Sequence, residues 1–541
     1  MSIAFVTPPP IKPSEPGLSA FAAAELVRRF GGRALAIDAS IGWHRFALDP
    51  TRLESTLAVV AEDPRFAKDL PAFRRAVRSV SGARPLQDPA TYRDRKVYTS
   101  AVNHLEQALR LASAPFPGIQ VGIANYTAWH PSLRPESRAG LAVLSETVQP
   151  FDAYFREVLI PSIRASNVQQ AGISVTFQMQ APAAFRLARL LRDELPGVRR
   201  VLGGPLVACW LAAEMRCEGA PFDLFDLVIA GTDAELQQLA RQDADDPTWT
   251  RPPPSPLDDA PLSVALDQVE WSQYLAPRPT VPAVLGRGCY WRKCTFCPDH
   301  LHPRLQPCGQ DGLEAWLHAI ADRFPDGAML HFTDSALPPA HLGRAAEVIR
   351  RDRLPLQWRG FVRVERAFAD PEFARTLAEG GCAMLQLGVE TGSPRILGLL
   401  GKGGGEPDLS RRVLRTLHHA GIRSYVYLLF GVPTETDADR EATLRLVEDE
   451  ADAIHALNLA ILNLPRRSPM HRAPETFGIT EILPFHDDTD LSLYDDFRCD
   501  GSHPRTEARR WLDHRFAKSA AVRRIGADFK SAFKENHAWS L

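Results

Sequence analysis

Three cysteines, Cys289, Cys294 and Cys297, fall within nine residues of a chain of 541 that holds eight cysteines in all. As thiolates they are ligands for soft metals. The segment Gly286-Arg287-Gly288-Cys289-Tyr290-Trp291-Arg292-Lys293-Cys294-Thr295-Phe296-Cys297-Pro298 spaces them as C-x4-C-x2-C. Three readings compete. The plainest is a loop with structural thiols. A zinc site would add one of His300, His302 or Cys308 and close a tetrahedron. A four-iron cluster takes four cysteines when fully ligated, so three would leave one iron open to a substrate or cofactor. Spacing alone leaves these alternatives open. The other cysteines (Cys209, Cys217, Cys308, Cys382 and Cys499) are scattered, and so few in a long chain do not make a disulfide scaffold.

The elements that must position this segment follow an α/β rhythm. Strand candidates at 281–285, 328–333, 357–363, 384–389, 424–430 and 457–462 alternate with helix patterns at 312–323, 340–351, 370–379, 408–420 and 436–451. This succession predicts a partial parallel (β/α)6 barrel over 263–480, with the cysteines on the loop after its first strand, at the rim where such barrels do their chemistry. Upstream, Ile3–Val6, a helix pattern over 19–30, Ala34–Asp38, 171–177, Ala183–Leu195, 200–205 and 225–231 predict a doubly wound, Rossmann-like domain over 1–245. A mainly helical insert is expected between about 50 and 165. In such sheets ligands sit at the carboxyl ends of the strands. A proline-rich linker is expected over 246–262, and a small, mostly helical C-terminal region over 481–541.

Composition excludes other classes. Lys plus Arg number 63 and Asp plus Glu 65, a net charge of −2, which argues against a protein held on nucleic acid by phosphate neutralisation. With 45% apolar residues the chain is too hydrophobic for intrinsic disorder. No signal-peptide pattern opens it, and no run reaches the ~20 apolar residues that span a bilayer. A cytoplasmic protein without a membrane or nucleic-acid partner is the expectation.

The cysteine segment resembles the radical S-adenosylmethionine (SAM) superfamily, whose three cluster cysteines follow the first barrel strand, usually as C-x3-C-x2-C with an aromatic residue before the last. Phe296 fits that pattern, and the first gap is one residue longer. Further resemblances run in order along the barrel: Asp334 in His331–Ser335, Arg363 in Trp358–Arg363, Glu390 in Gly381–Ser393, and Gly431 and Pro433 in Phe430–Thr436. The resemblance implies a [4Fe–4S] cluster on Cys289, Cys294 and Cys297, SAM bound near Phe296, Asp334, Arg363, Glu390, Gly431 and Pro433, and hydrogen abstraction by a 5′-deoxyadenosyl radical. Ordinary ion pairing is the plain alternative for Arg363 and Glu390.

The N-terminal half resembles the cobalamin-binding domain of one large branch of that superfamily. The matching residues are Asp38, Ser174, Thr176, Gly203, Gly204 and Gly231. Of these, Ser174, Thr176, Gly203, Gly204 and Gly231 are the candidate cobalamin contacts. The D-x-H-x-x-G segment that supplies a lower histidine ligand elsewhere is absent. The bland alternative is a domain that only packs on the barrel. What the resemblance implies is methylation of an unactivated carbon of a peptide or small natural-product precursor, with electrons from a flavodoxin- or ferredoxin-type donor. A cobalamin-linked rearrangement or cyclisation is the second reading, and a non-catalytic zinc or iron–sulfur binding protein the third. Gly401-Lys402-Gly403-Gly404-Gly405 lacks the G-x4-G-K-[ST] frame of a phosphate loop and reads as a flexible connector between helices. Asn536-His537-Ala538 reads as an anchored tail.

Overall fold

The computed structural model describes residues 2–80, 85–241, 259–297, 305–403 and 408–526. The chain opens with β1 (Ser2–Thr7) and β2 (Arg33–Asp38), joined by the helix Leu18–Arg29. Ala20, Phe21, Ala24 and Val27 form the buried stripe of that helix, at the spacing that keeps one face on a sheet. The helical insert follows and carries one hairpin, β3 (Ile119–Val121) with β4 (Tyr126–Ala128). The chain then returns to the first sheet as β5 (Gln170–Ser174), β6 (Arg199–Gly203) and β7 (Leu227–Val228). All five strands are parallel, in the order β2-β1-β5-β6-β7. This is a doubly wound order with its switch point between β1 and β5, where such sheets open a ligand crevice.

The second sheet starts with β8 (Leu262–Ser263), which runs antiparallel to β9 (Thr280–Val284). The expected linker therefore ends in an edge strand, and its residues 246–258 lie outside the described residues. A two-residue ribbon, β10 (Gly286–Arg287) with β11 (Gln306–Pro307), frames the cysteine segment. Then come β12 (Ala328–Phe332), β13 (Leu356–Arg363), β14 (Cys382–Glu390), β15 (Arg423–Phe430) and β16 (Ala456–Ile461). The order is β16-β15-β14-β13-β12-β9-β8, with six parallel strands as expected. Leu330, Phe332, Trp358, Val362, Leu387, Val426 and Leu428 pack outward in the helix-covered core. Alternation then turns His331, Arg359, Arg363, Gln386 and Tyr427 to the inner wall.

Downstream, β17 (Leu464–Pro465), β18 (Ile479–Leu483) and β19 (Tyr494–Cys499) make a small antiparallel sheet in the order β17-β19-β18. The sequence predicts a mostly helical region over 481–541, and β19 and the end of β18 are strands within it. The helices Pro504–His514 and Ala520–Gly526 follow, and Trp511 and Phe516 pack on Phe430 of β15. The proposed tail contact at 536–538 falls outside the described residues. No described helix is long and apolar enough to cross a membrane.

The two sheets share packing. Met384, Tyr425 and Ala456, at the starts of β14, β15 and β16, belong to one cluster with Trp43 and Phe151. The insert is tied to the first sheet by a buried ion pair. Arg186 donates to both carboxylate oxygens of Asp152, with Nη2 2.6 Å from Oδ2, and to the carbonyl of Ser145 at 2.8 Å. Arg186→Met strands a buried carboxylate and is expected to cost about 3–5 kcal/mol, read as a lower denaturation midpoint. The double variant with Asp152→Leu recovers most of that loss.

Candidate active site

The cysteine segment leaves β9 under control of a buried carboxylate. The Asp334 oxygens accept from the main-chain amides of Leu285, at 3.0 Å, and Gly286, at 2.8 Å. Burial pushes the Asp334 carboxyl up to about 6 against the pull of these amides. The residue expected among the SAM contacts therefore anchors the start of the loop, with both oxygens taken.

The middle of the loop is clamped by a helix end. The last carbonyls of a helix have no partners within it, and those after Pro394–Leu399 are satisfied by the cysteine loop. Thr295 donates its amide to the Leu400 carbonyl at 3.1 Å and its hydroxyl to the Leu399 carbonyl at 2.8 Å. Trp291 Nε1 donates to the Gly401 carbonyl at 3.0 Å. Gly401 has φ +65°, and a Cβ there would lie 2.0 Å from the Lys293 carbonyl oxygen, so no larger residue fits. The loop also receives the Met470 amide on the Thr295 carbonyl at 2.9 Å.

Charged side chains line the inner side of the loop. Arg363, at the end of β13, is buried. Its Nη1 lies 3.7 Å from Cys294 Sγ, and its guanidinium stacks 3.6 Å from the centroid of a Trp291 ring. Arg363 also pairs with Glu365 at 3.6 Å, whose carboxylate accepts from the Tyr290 hydroxyl. Glu390, at the end of β14 with φ +65°, pairs with Lys402 Nζ at 2.8 Å, and both side chains are 10% exposed. Burial pushes the Cys294 thiol up, while Lys402 and Arg363 pull it down toward the thiolate. Lys402 Nζ also sits 5.9 Å from the Phe296 ring centroid. Phe296 packs in the apolar cluster that holds Val432, between Gly431 and Pro433. Gly431 donates its amide to Glu435 Oε2 at 2.7 Å, and burial pushes the Glu435 carboxyl up to about 7.

The structure thus gathers Cys294, Phe296, Arg363 and Glu390 around Lys402, and Val432, between Gly431 and Pro433, belongs to the apolar cluster on which Phe296 packs. Sequence reasoning missed Lys402, Trp291 and Glu365 as parts of the site. Lys402 had been placed in a flexible connector, but it is buried in an ion pair directly after the residues that clamp the loop. Gly404 and Gly405 lie outside the described residues.

Zinc–thiolate bonds of about 2.3 Å in a tetrahedron need sulfurs about 3.8 Å apart. The Sγ atoms of Cys289, Cys294 and Cys297 do not all come within 4.8 Å of one another; among the described residues one triad does, Glu314, His318 and Asp352. Three thiolates can instead hold separate corners of a four-iron cube, whose full ligation takes four. His300 and His302, weighed as further zinc ligands, lie outside the described residues.

At the carboxyl ends of the first sheet, Ser174, Gly203, Gly204 and Gly231 line a mostly apolar cavity of about 260 Å³. Gly204 has φ +101°, and a Cβ there would lie 2.6 Å from the Val175 backbone. The Ser174 and Thr176 hydroxyls both meet Ser19 Oγ, at 3.0 and 2.9 Å. Thr176 is not among the lining residues. Arg287, two residues before Cys289, does line the cavity and pairs with Asp233.

Comparison with known proteins agrees with this geometry. Residues 283–447 match the Radical SAM superfamily model. Over 212 residues the chain is 26% identical to an uncharacterized methyltransferase, PH0819, of Pyrococcus horikoshii, covering 36% of this chain and 43% of that protein. Over 141 residues it is 28% identical to the uncharacterized protein MK0932 of Methanopyrus kandleri, covering 26% and 27%. The chain thus spans less than half the length of these curated relatives. The cobalamin-dependent S-adenosylmethionine radical enzyme OxsB, solved with aqua-cobalamin and S-adenosylmethionine bound, shares the fold at a TM-score of 0.50 and 15% identity, over 66% of this chain and 60% of that one. The radical S-adenosylmethionine methyltransferase TsrM from Kitasatospora setae, with cobalamin and a [4Fe–4S] cluster bound, aligns at a TM-score of 0.49 and 15% identity, over 88% and 78%.

Gly401→Ala tests the clamp. The variant is expected to fold, with an unchanged far-ultraviolet circular dichroism spectrum, but to hold less than half the iron of the parent after anaerobic reconstitution. Parent-level iron would mean that the helix end does not hold the loop.

Proposed function

We propose that this chain, whose residues 283–447 match the Radical SAM superfamily model, is a radical SAM enzyme that, with cobalamin, methylates an unactivated carbon of a small molecule or peptide. The observation that carries this reading is the clamped three-cysteine loop facing the buried charges of Arg363, Glu390 and Lys402. A cluster held by Cys289, Cys294 and Cys297 would supply one electron to SAM at its open iron and release a 5′-deoxyadenosyl radical. Cobalamin would supply the methyl group. The chemistry belongs to the cofactors, and the protein binds, orients and excludes water.

The residues divide this work. Arg363 and Lys402 offset the negative charge gathered by three thiolates, and Trp291 holds the Arg363 guanidinium flat against the loop. Glu390 presents a carboxylate for the amino group or ribose of SAM, paired with Lys402 at 2.8 Å. Gly431, Val432 and Pro433 give a buried main-chain edge for the adenine. The low exposure of these side chains keeps water from a radical that would otherwise be quenched. In the first sheet, the small residues around the cavity of about 260 Å³ suit the flat nucleotide tail of a corrin, with Ser174 and Ser19 offering hydroxyls beside it. An external one-electron donor of the flavodoxin or ferredoxin type completes the requirement.

Anaerobic reconstitution is expected to give brown protein with about four irons per chain, falling to less than half of that in Cys294→Ala. With SAM and reductant it forms 5′-deoxyadenosine. Colourless protein with a single zinc overturns the reading. Incubation with hydroxocobalamin followed by gel filtration leaves corrin absorption on the protein. With the true substrate, S-adenosylhomocysteine accompanies 5′-deoxyadenosine; turnover that yields only 5′-deoxyadenosine assigns a rearrangement or cyclisation instead of methyl transfer.

A further inference from the structure

The barrel end opposite the cysteine loop borders two cavities that the chemistry above leaves unused. The larger, of about 1010 Å³, lies between the insert helices Leu70–Val80 and Arg95–Ser113 and the C-terminal helix Ala520–Gly526. The smaller, of about 560 Å³, reaches the start of β15 at Arg423 and the turn before β16 at His455. Arg95 and Arg524 line both. Arg95 donates to the Ile525 carbonyl at 2.9 Å, which ties the insert to the C-terminal helix, and Arg524 pairs with Asp452 at 2.9 Å.

The larger cavity gathers charge of one sign. Arg75, Lys96 and Arg523 reach it from three different helices, and all three are exposed. The partner that Arg523 takes is neutral, the Lys518 carbonyl at 2.9 Å, and among the described residues no carboxylate pairs with any of the three. The acid on this wall is Asp94, which caps its own helix by accepting the Lys96 amide at 2.7 Å. With Arg95 and Arg524 engaged as above, three cations face one carboxylate, an excess of two positive charges. A cleft lined by one sign of charge focuses its field and concentrates the opposite ion. Thr99, Ser100 and Asn103 follow Lys96 at steps of three, four and seven residues, hence on one face of the helix, and line the same cavity. Their hydroxyls and amide are neutral donors. At the smaller cavity burial, with the charges of Arg423 and Arg95, holds the His455 imidazole down to about 4, so this histidine is neutral.

We propose that this cleft binds a dianionic phosphate, carried by a small molecule as its monoester. Two negative charges match the excess, whereas a carboxylate or a sulfate ester leaves one cation unmet. Guanidinium forks and an ammonium suit phosphate oxygens. The three terminal oxygens of a phosphate also accept more donors than a carboxylate does, and Thr99, Ser100 and Asn103 supply them. A volume of about 1010 Å³ exceeds what a phosphate ion fills and is that of a site for a whole small molecule. The ligand lies at the strand starts, apart from the cysteine loop, and its binding does not depend on the radical SAM reading.

Glucose 6-phosphate, glucose 6-sulfate, glucose and inorganic phosphate are titrated into cluster-reconstituted full-length protein by isothermal calorimetry. Glucose 6-phosphate is expected to bind at least about tenfold tighter than glucose 6-sulfate, its isosteric monoanion, and glucose gives no heat of binding. Weaker binding of inorganic phosphate supports the ester; equal binding supports the same dianion site with the free ion as its source. Lys96→Gln and Arg523→Gln, each with an unchanged melting temperature, lower the affinity at least about fivefold and narrow the preference over the sulfate ester. Arg45→Gln removes an exposed arginine outside the cleft and leaves binding unchanged. No binding of glucose 6-phosphate, equal binding of the two esters, or an equal loss in Arg45→Gln overturns the proposal. Iron content and 5′-deoxyadenosine formation stay at the parent level in Lys96→Gln and Arg523→Gln; their absence from the parent would end the radical SAM reading and leave the cleft standing.

Discussion

A helix end without partners for its carbonyls is normally met by water or a capping side chain. After Pro394–Leu399 it is met by the cysteine loop, through Thr295 and Trp291. That exchange fixes several features together. It seats Cys294 beside Arg363, turns Trp291 flat under the guanidinium, and brings Lys402 back onto Glu390. It also requires a residue without a side chain at Gly401. Asp334 fixes the other end of the loop through two amides. A loop tied at both ends keeps its thiols in place without disulfide or secondary structure of its own, a preorganisation that catalytic sites need.

The two halves of the molecule meet this loop and the barrel interior through charge as well as apolar packing. Arg287, just ahead of Cys289, pairs with Asp233 beside the cavity of the first sheet. Glu15 crosses in the same sense to His331 and Arg359. Both contacts run from the carboxyl ends of the first sheet to the barrel. They also explain why strongly polar residues sit on an inner barrel wall: their partners come from outside the barrel.

Much of this architecture was legible in the sequence because its strands are apolar runs and its helices keep a 3.6-residue stripe. β12, β13 and β15 lie within one residue of their expected bounds. The antiparallel sheet β17-β19-β18 was not legible: β18 and β19 are short, carry charges such as Glu481 and Asp496, and are fixed by cross-strand pairing. The resemblance names rim residues in order along the chain, but the hydrogen bonds of Asp334 were not legible, since its amide partners are almost fifty positions away. Lys402 and Glu15 were missed for the same reason. A lysine between glycines and a glutamate in a proline-rich turn look like loop residues until the fold supplies Glu390 and His331.

The central claim is that three clamped cysteines leave one iron free to take SAM. Electron paramagnetic resonance of the reduced, cluster-loaded protein, with SAM labelled by nitrogen-15 at its amino group, tests it most directly. The account predicts that SAM shifts the cluster signal and that the labelled nitrogen couples to it. A signal indifferent to SAM, without nitrogen coupling, would contradict it.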